Sequence, residues 1–396
     1  MRVGCFVMMR NEAPILGPFL DQIESLFDRC FVLNHGSTDG SSDLVAERSS
    51  SIFSLYHLKA AGYPQSEVAT HFAHQAFRNE KLDYLFFLDC DEFLPFGDRQ
   101  SMVAELDKYA HLDVIRLPWL NVCPQSFDGT DIFSKPLTHR KPSSNFYKII
   151  LTKQILATAP RFEVCQGYHD CVSADGRQLS KLAVAAPVII HIPIQSRTQL
   201  GFKLANGHNR LVMERVNAAK GNGYHWIQLA KRFAQGTLGP DAMRSLALNY
   251  PDIRTDNDPA VETLSFGFPY VKTPYKETPA YVASQIAGLI GPSFEYEGDI
   301  SSNAFSVTDC NGNVALTAKL QGAKKMYREP TPQEPTVARQ LVEKLGTFQD
   351  DFSSLIEPLF CLPTKLPLTA WQGHIPFMFV LMKLLKPKRY VELGVH

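Results

Sequence analysis

YLFFLDCDEF, residues 84–93, is a run of apolar side chains from Tyr84 to Leu88 that breaks off into Asp89, Asp91 and Glu92. A short continuous apolar run is the signature of a strand covered on both faces, as in the middle of a parallel sheet. Its exit into two carboxylates at i and i+2 places acid in a loop while the neighbouring side chains stay buried. The chain before it repeats the pattern. Val3–Met9 is a second apolar run, followed by a helical stripe of Leu16, Phe19, Leu20, Ile23 and Leu26 with Pro14 near the first turn. Cys30–Leu33 is a further buried strand that ends in the polar loop NHGSTDG, residues 34–40, and a helix begins at Ser42–Arg48. Ile52–Tyr56 reads as a strand and His71–Asn79 as a helix. Strict alternation of strand and helix predicts an α/β fold with a doubly wound sheet. In such sheets ligands lie beyond the carboxyl ends of the strands, where the strand order reverses. The loops at 10–12, 34–40 and 89–92 all follow strand ends, so one crevice is expected to receive all three.

Beyond residue 100 the alternation loosens. Val114–Pro118, Tyr147–Leu151 and Val188–Ile192 have strand character, and Leu200–Val216 has helical character. Asn249–Pro279 is rich in Pro, Asp, Asn and Thr and reads as a linker or irregular lobe; residues 329–335 form a stiff proline-rich spacer. At 396 residues the chain exceeds the ~250 to 300 at which a single core stops growing. The expected division is a sheet domain over 1–215, a helical or irregular extension and linker over 216–330, and a helical segment from 336 to 396. Forty basic residues balance forty acidic ones, so no diffuse positive field exists to attract nucleic acid. The eight cysteines form no C-x-x-C pair, and free thiols in a reducing cytoplasm are expected. No apolar run reaches the ~20 residues of a membrane-spanning helix, so the protein is expected to be soluble or at most peripheral at a membrane.

The chemistry begins at Asp89 and Asp91. Hard carboxylate oxygens suit Mg²⁺ or Mn²⁺, which take the rest of their shell from water and substrate phosphates. A diphosphate leaving group then departs against a cation. Asp39 has two readings, as an acceptor for a ribose hydroxyl or nucleobase N–H, or as an ordinary turn residue capping the next helix. Glu12, in the Arg10-Asn11-Glu12 loop, complements a helix dipole on the plainer reading.

Taken together, RNE at 10–12, NxGSTD from Asn34 to Asp39 and FLDxDEF from Phe87 to Phe93 resemble glycosyltransferase family 2, a branch with the GT-A fold. Trp119, Lys148 within FYKII at 146–150, and HIPIQSRTQLGFK from His191 to Lys203 with Gly207 follow that branch's later landmarks in order, so the resemblance spans about residues 3–215. It implies a bound nucleoside diphosphate sugar with Arg10, Asn11, Glu12, Asn34, Asp39 and Asp89 on the donor, and Asp91 as a direct metal ligand. Trp119 and Lys148 would then face acceptor or phosphate. His35 and Cys90 depart from the branch, which usually has an acidic residue before G-S.

An inverting transfer to a glycan acceptor needs a general base on the acceptor hydroxyl. GYHD at 167–170 supplies Asp170 as first choice and His169 as second. His191 is expected to complete the metal shell or hold a phosphate, and Arg197 and Lys203 to neutralise diphosphate or an anionic acceptor. Residues 388–396 resemble the opening strand of a class I S-adenosylmethionine-dependent methyltransferase. That domain is expected to be cut short here, with no methyl transfer from it. Two other functions compete: a nucleotidyltransferase on the same fold, disfavoured because no Gly-rich, Arg-Lys-bearing loop follows the first strand, and a noncatalytic nucleotide-sugar-binding scaffold.

Overall fold

A computed structural model describes residues 1–48, 51–59, 64–140, 146–204, 235–250, 261–290 and 304–319, together with 229, 232 and 233. The proline-rich spacer and residues 336–396, with their methyltransferase-like strand, lie outside the described residues, as do Gly207 and the rest of the helix expected to reach Val216.

The architecture is α/β, built on one mixed sheet. Its first half is β1 (Val3–Met9), α1 (Ala13–Leu26), β2 (Arg29–Asn34), α2 (Ser41–Ala46), β3 (Phe53–Lys59), α3 (Gln65–Arg78) and β4 (Tyr84–Phe87). β2 and β4 flank β1 in parallel, and β3 continues beyond β2. All seven residues of β1 are buried. Alternation along the strand explains how: Val3, Cys5, Val7 and Met9 share a core with α1, while Phe6 and Met8 share one with Phe72 and Ala73 of α3.

Next come β5 (Glu92–Phe93), α4 (Arg99–Asp107), β6 (Val114–Cys123), β7 (Thr138–Arg140) and β8 (Tyr147–Thr152). They are followed by α5 (Ile155–Thr158), β9 (Phe162–Val164), β10 (Cys171–Ser173), β11 (Lys181–Ala183) and β12 (Ile189–His191). β8 runs antiparallel between β4 and β6, so the sheet reads β3-β2-β1-β4-β8-β6 through its centre. Chain order runs outward from β1 to β3 on one side and resumes at β4 on the other. The reversal therefore falls between β1 and β4, and their exit loops are those carrying Glu12 and Asp91.

The extension contributes α6 (Pro240–Asn249), β13 (Val261–Thr263), α7 (Pro279–Ile290), and the hairpin of β14 (Ala304–Asp309) and β15 (Val314–Lys319). β14 pairs antiparallel with β3 and extends the sheet. Residues 264–278 lie on α1 as a strap, and the sequence of α1 shows why. Pro18 sits inside that helix and has no N–H for the carbonyl of Pro14; the Lys276 N–H donates there instead, at 3.2 Å. One turn on, buried Asp21 accepts the N–H groups of Lys272 and Thr273 at 2.7 and 2.6 Å and pairs with Arg48 at 2.9 Å. Between them Gly17 leaves no room for a Cβ beside the Thr273 side chain. Among the described residues seven cysteines are free thiols and no helix is long and apolar enough to cross a membrane.

Candidate functional site

The loops after β1 and β2 are stitched into one frame. Asn11, held at φ 56°, accepts from the Thr38 N–H at 2.8 Å and donates its own N–H to the Ser37 hydroxyl at 3.0 Å. Asn34 accepts from the Ser37 N–H at 2.8 Å. Asp39 accepts from the Ala13 N–H at 2.9 Å, capping α1, and from the Ser41 N–H and hydroxyl at 3.0 and 2.5 Å. Gly40, at φ 88°, lets the chain turn into α2 directly after this carboxylate. Both oxygens of Asp39 are thus engaged by protein donors, one at the start of α1 and the other at the start of α2, the helix that the sequence expected it to cap.

The loop after β4 is organised by Glu92, a fully buried carboxylate. It accepts from the Asp89 N–H at 2.9 Å and the Trp119 indole N–H at 2.7 Å, and lies 3.5 Å from the Lys148 ammonium. Lys148 in turn binds Asp89 at 2.6 Å, with its ammonium over the ring of Tyr168. Burial pushes the Glu92 carboxyl up to about 8 against the pull of Lys148. Burial disfavours the Lys148 cation, but Asp89 and Glu92 outweigh it and hold the ammonium above its ordinary range. With 1% of its side chain exposed, Lys148, expected at the acceptor or phosphate, lies as a buried counter-ion of the acidic loop. Asp89 remains 38% exposed.

Asp91 has different company. His191 Nε2 lies 3.7 Å from its Oδ2, and the Lys203 ammonium, anchored on the Pro193 carbonyl at 3.1 Å, lies 3.5 Å away. The strand pairing sets this up: β12 lies beside both β5 and β6, bringing His191 opposite Glu92 and Asn121. Asn121 donates its amide N–H to the Tyr250 carbonyl at 2.5 Å, so its oxygen accepts from His191 Nδ1–H at 2.8 Å. That hydrogen bond fixes the tautomer, leaving a lone pair on Nε2. Burial, and then Lys203 and Lys148, hold the imidazole well below its usual pKa, so it is neutral. A lone pair therefore faces a carboxylate oxygen with no proton between them, an arrangement that a cation would relieve. Among the described residues no three His, Cys, Asp or Glu side chains converge as a complete cage. The protein donors suit an ion that takes further oxygens from its ligand. Glu12 faces the same cluster; burial and then Asp91 raise its carboxyl pKa, and Lys203 opposes them.

Trp119 is mostly buried between two rings, stacked on His191 at 4.3 Å and on Phe146 at 5.9 Å. His169 sits edge-on to Trp119 at 5.4 Å and donates Nδ1–H to the Tyr147 carbonyl at 2.7 Å. Burial holds its pKa below the usual value. The backbone there is strained, with Gly167 at φ 77° and Tyr168 at φ 59°. A Cβ on Gly167 would strike the His169 ring, so glycine is needed for space as well as for φ. Asp170 is placed otherwise: Arg116 binds it at 2.5 Å, Lys181 at 2.8 Å and the Cys171 N–H at 2.7 Å. Burial would raise its pKa, but the hydrogen bonds from Arg116 and Lys181 hold it below the carboxylate range. Its oxygens are committed, and it is a poor proton acceptor. Arg197 donates to the Leu238 carbonyl at 2.7 Å and rests over the Phe233 ring. Arg10 is half-buried at the exit of β1.

Sequence reasoning missed Asn121 and Tyr250. Tyr250 follows α6, lies over the Lys203 ammonium at 5.2 Å and meets His191 at 5.4 Å. Nothing local marks either residue, because their roles arise only when segments some 130 positions apart meet.

No family model matches the sequence, and no curated protein matches it. Three solved structures are similar to part of the chain. The 4-diphosphocytidyl-2C-methyl-D-erythritol synthase of Anaerococcus prevotii is 10% identical over 39% of this chain and 71% of that one, at a TM-score of 0.25. The mannose-1-phosphate geranyltransferase of Thermus thermophilus is 15% identical over 39% and 50%, at 0.24. HddC of Yersinia pseudotuberculosis is 11% identical over 49% and 95%, at 0.26.

Proposed function

We propose that the chain is a nucleotide-sugar-dependent, metal-requiring transferase, an inverting glycosyltransferase acting on a glycan or glycoconjugate. The observation that carries this reading is the neutral His191 lone pair facing Asp91 at the β1–β4 switch point, with Lys203 beside it. Asp91 and His191 would hold Mn²⁺ or Mg²⁺, which when bound offsets the charge developing on a departing diphosphate. Lys203 shares that task, and Asp89, half open beside Asp91, faces the ribose or a water of the ion. Asn11, Asn34 and Asp39 build the frame against which the nucleoside rests, with Arg10 and Glu12 at its rim.

In the transfer, the acceptor hydroxyl oxygen forms a bond to the anomeric carbon as the bond from that carbon to the diphosphate oxygen breaks. The hydroxyl proton goes to a base on the acceptor side. His169 fills that role better than Asp170: its Nδ1–H is fixed by Tyr147, so Nε2 carries the lone pair, whereas both oxygens of Asp170 are held by cations and a backbone N–H. The test is a thermal-shift panel of nucleoside diphosphate sugars with and without Mn²⁺. Ligand at a hundred times its dissociation constant adds about 2.7 kcal/mol. Stabilisation by one donor only in the presence of metal supports the reading, and no response to any donor defeats it. Metal-dependent release of sugar from that donor separates a transferase from a noncatalytic binder.

A further inference from the structure

Lys203 faces Asp91 from a helical stretch, residues 197–204, and the start of that stretch is tied to the extension. The first turn of a helix has N–H groups with no partner in the helix, which a side-chain oxygen can meet. Buried Ser196 does so here. Its hydroxyl accepts the Gln199 N–H at 2.8 Å, while the Gln199 side chain reaches back to accept the Gln195 N–H at 3.3 Å, a reciprocal cap. A hydroxyl has one proton, and that of Ser196 goes to Glu277 Oε1, which leaves its lone pairs for Gln199. Glu277 stands near the end of the strap. The hydroxyl of buried Tyr275 donates to the same Oε1 at 2.9 Å, and the Tyr275 N–H donates to Asp131 at 3.0 Å. The other oxygen is closely packed as well: a Cβ on Gly129, at φ 79°, would lie 2.8 Å from Oε2. The carboxylate is thus held from two sides before it meets Ser196.

This link reaches Lys203 by two routes. Along the helix, the cap lies about two turns before Lys203 and sets where its side chain starts. Through the preceding loop, the carbonyl that anchors the Lys203 ammonium at 3.1 Å belongs to Pro193, in the segment that Ser196 ends. Resting on the nucleotide-sugar reading above, we propose that Glu277 is a positioning residue: through Ser196 it aims the Lys203 ammonium at the diphosphate of the donor. A lysine loses rotamer freedom when it grips an anion, and a side chain anchored beforehand has less left to lose. The extension then contributes to donor affinity through a residue whose printed partners are Ser196 and Tyr275, not the acidic loop.

The test is a double-mutant cycle on the full chain, with calorimetry of UDP, GDP, CDP and ADP in the presence of Mn²⁺. For the tightest binder, Glu277→Ala should weaken affinity about tenfold. Glu277→Gln, whose amide oxygen still accepts the Ser196 proton, should retain it. Lys203→Met should weaken it at least as much as Glu277→Ala does. Adding Glu277→Ala to Lys203→Met should then cost nothing further, because residues that act through one another are non-additive, whereas independent losses add. Should circular dichroism show that Glu277→Ala does not fold, Ser196→Ala takes its place in the cycle. Unchanged affinity in Glu277→Ala, an equal loss with and without Lys203, or a loss in Glu277→Gln as large as in Glu277→Ala overturns the proposal. Binding of none of the four nucleotides by wild type sinks the transferase reading and the proposal with it. Binding without coupling sinks the positioning role alone.

Discussion

Asp91 and Lys148 are both charged residues at one strand exit, yet substituting them should have opposite consequences. Asp91 lies at the rim beside His191 and Lys203, so Asp91→Ala should abolish metal-dependent donor binding while leaving thermal stability nearly unchanged. Calorimetry with Mn²⁺ and donor checks this, and retained metal dependence would remove Asp91 from the site. Lys148→Met removes the buried ammonium from between Asp89 and Glu92 and should cost about 1–3 kcal/mol of stability, the usual penalty for leaving a buried polar group without its partner. Chemical denaturation would measure it. The base assignment has a pH signature. His169 has a pKa below 6.5 through burial, and a general base works only when deprotonated. Transfer should therefore hold as pH falls through 6.5 and fail on an acid limb below it. His169→Ala should lower turnover by about 10²- to 10⁴-fold, with Asp170→Asn costing less. An acid limb centred above 6.5 would rule His169 out. The motif residues Asn11, Asn34 and Asp39 were legible in the sequence as important positions. The capping role of Asp39 was one of its two readings, but that Asn11 and Asn34 join the loops was not legible, because a polar side chain at a strand exit looks the same whether its partner is a ligand or the next loop.

Among the elements, β1, α1, β2 and β4 fall within a residue or two of where the apolar pattern puts them. Each buries a whole face or a whole run, and burial of that kind is written locally. β7, β13 and the β14–β15 hairpin were not legible, since short edge strands owe their existence to partners far along the chain: β13 pairs with β7, and β14 with β3. β6 was expected to stop at Pro118 but continues to Cys123. Proline lacks the N–H of a ladder, but β8 ends opposite it at Tyr147, and the strand goes on to pair with β12 and β7. Gly17 and Pro18, adjacent in the middle of α1, look like helix breakers. The strap explains them, as a glycine for close approach and a proline whose missing N–H leaves a carbonyl for Lys276. Gly17→Ala, which would stabilise an isolated helix by up to ~1 kcal/mol, should here destabilise by about 1–3 kcal/mol because the new methyl meets Thr273. A melting temperature above wild type would show that the strap yields.

At the scale of the molecule, the extension supplies Tyr250 at the site, the strap on α1 and a strand on the sheet edge. A fragment ending at residue 215 should therefore melt well below the full chain and bind donor more weakly, which a paired thermal-shift experiment would show. The strap also sets a schedule for synthesis. Asp21 precedes Lys272 by 251 positions, and ribosomes add about 5–20 residues each second. For about 13–50 s after α1 leaves the exit tunnel, Asp21 lacks two of its partners and the Pro14 carbonyl has none from its own helix. The nascent chain thus carries a half-finished helix face through most of its translation, available to any chaperone that recognises it, until Thr273 and Lys276 emerge and close it.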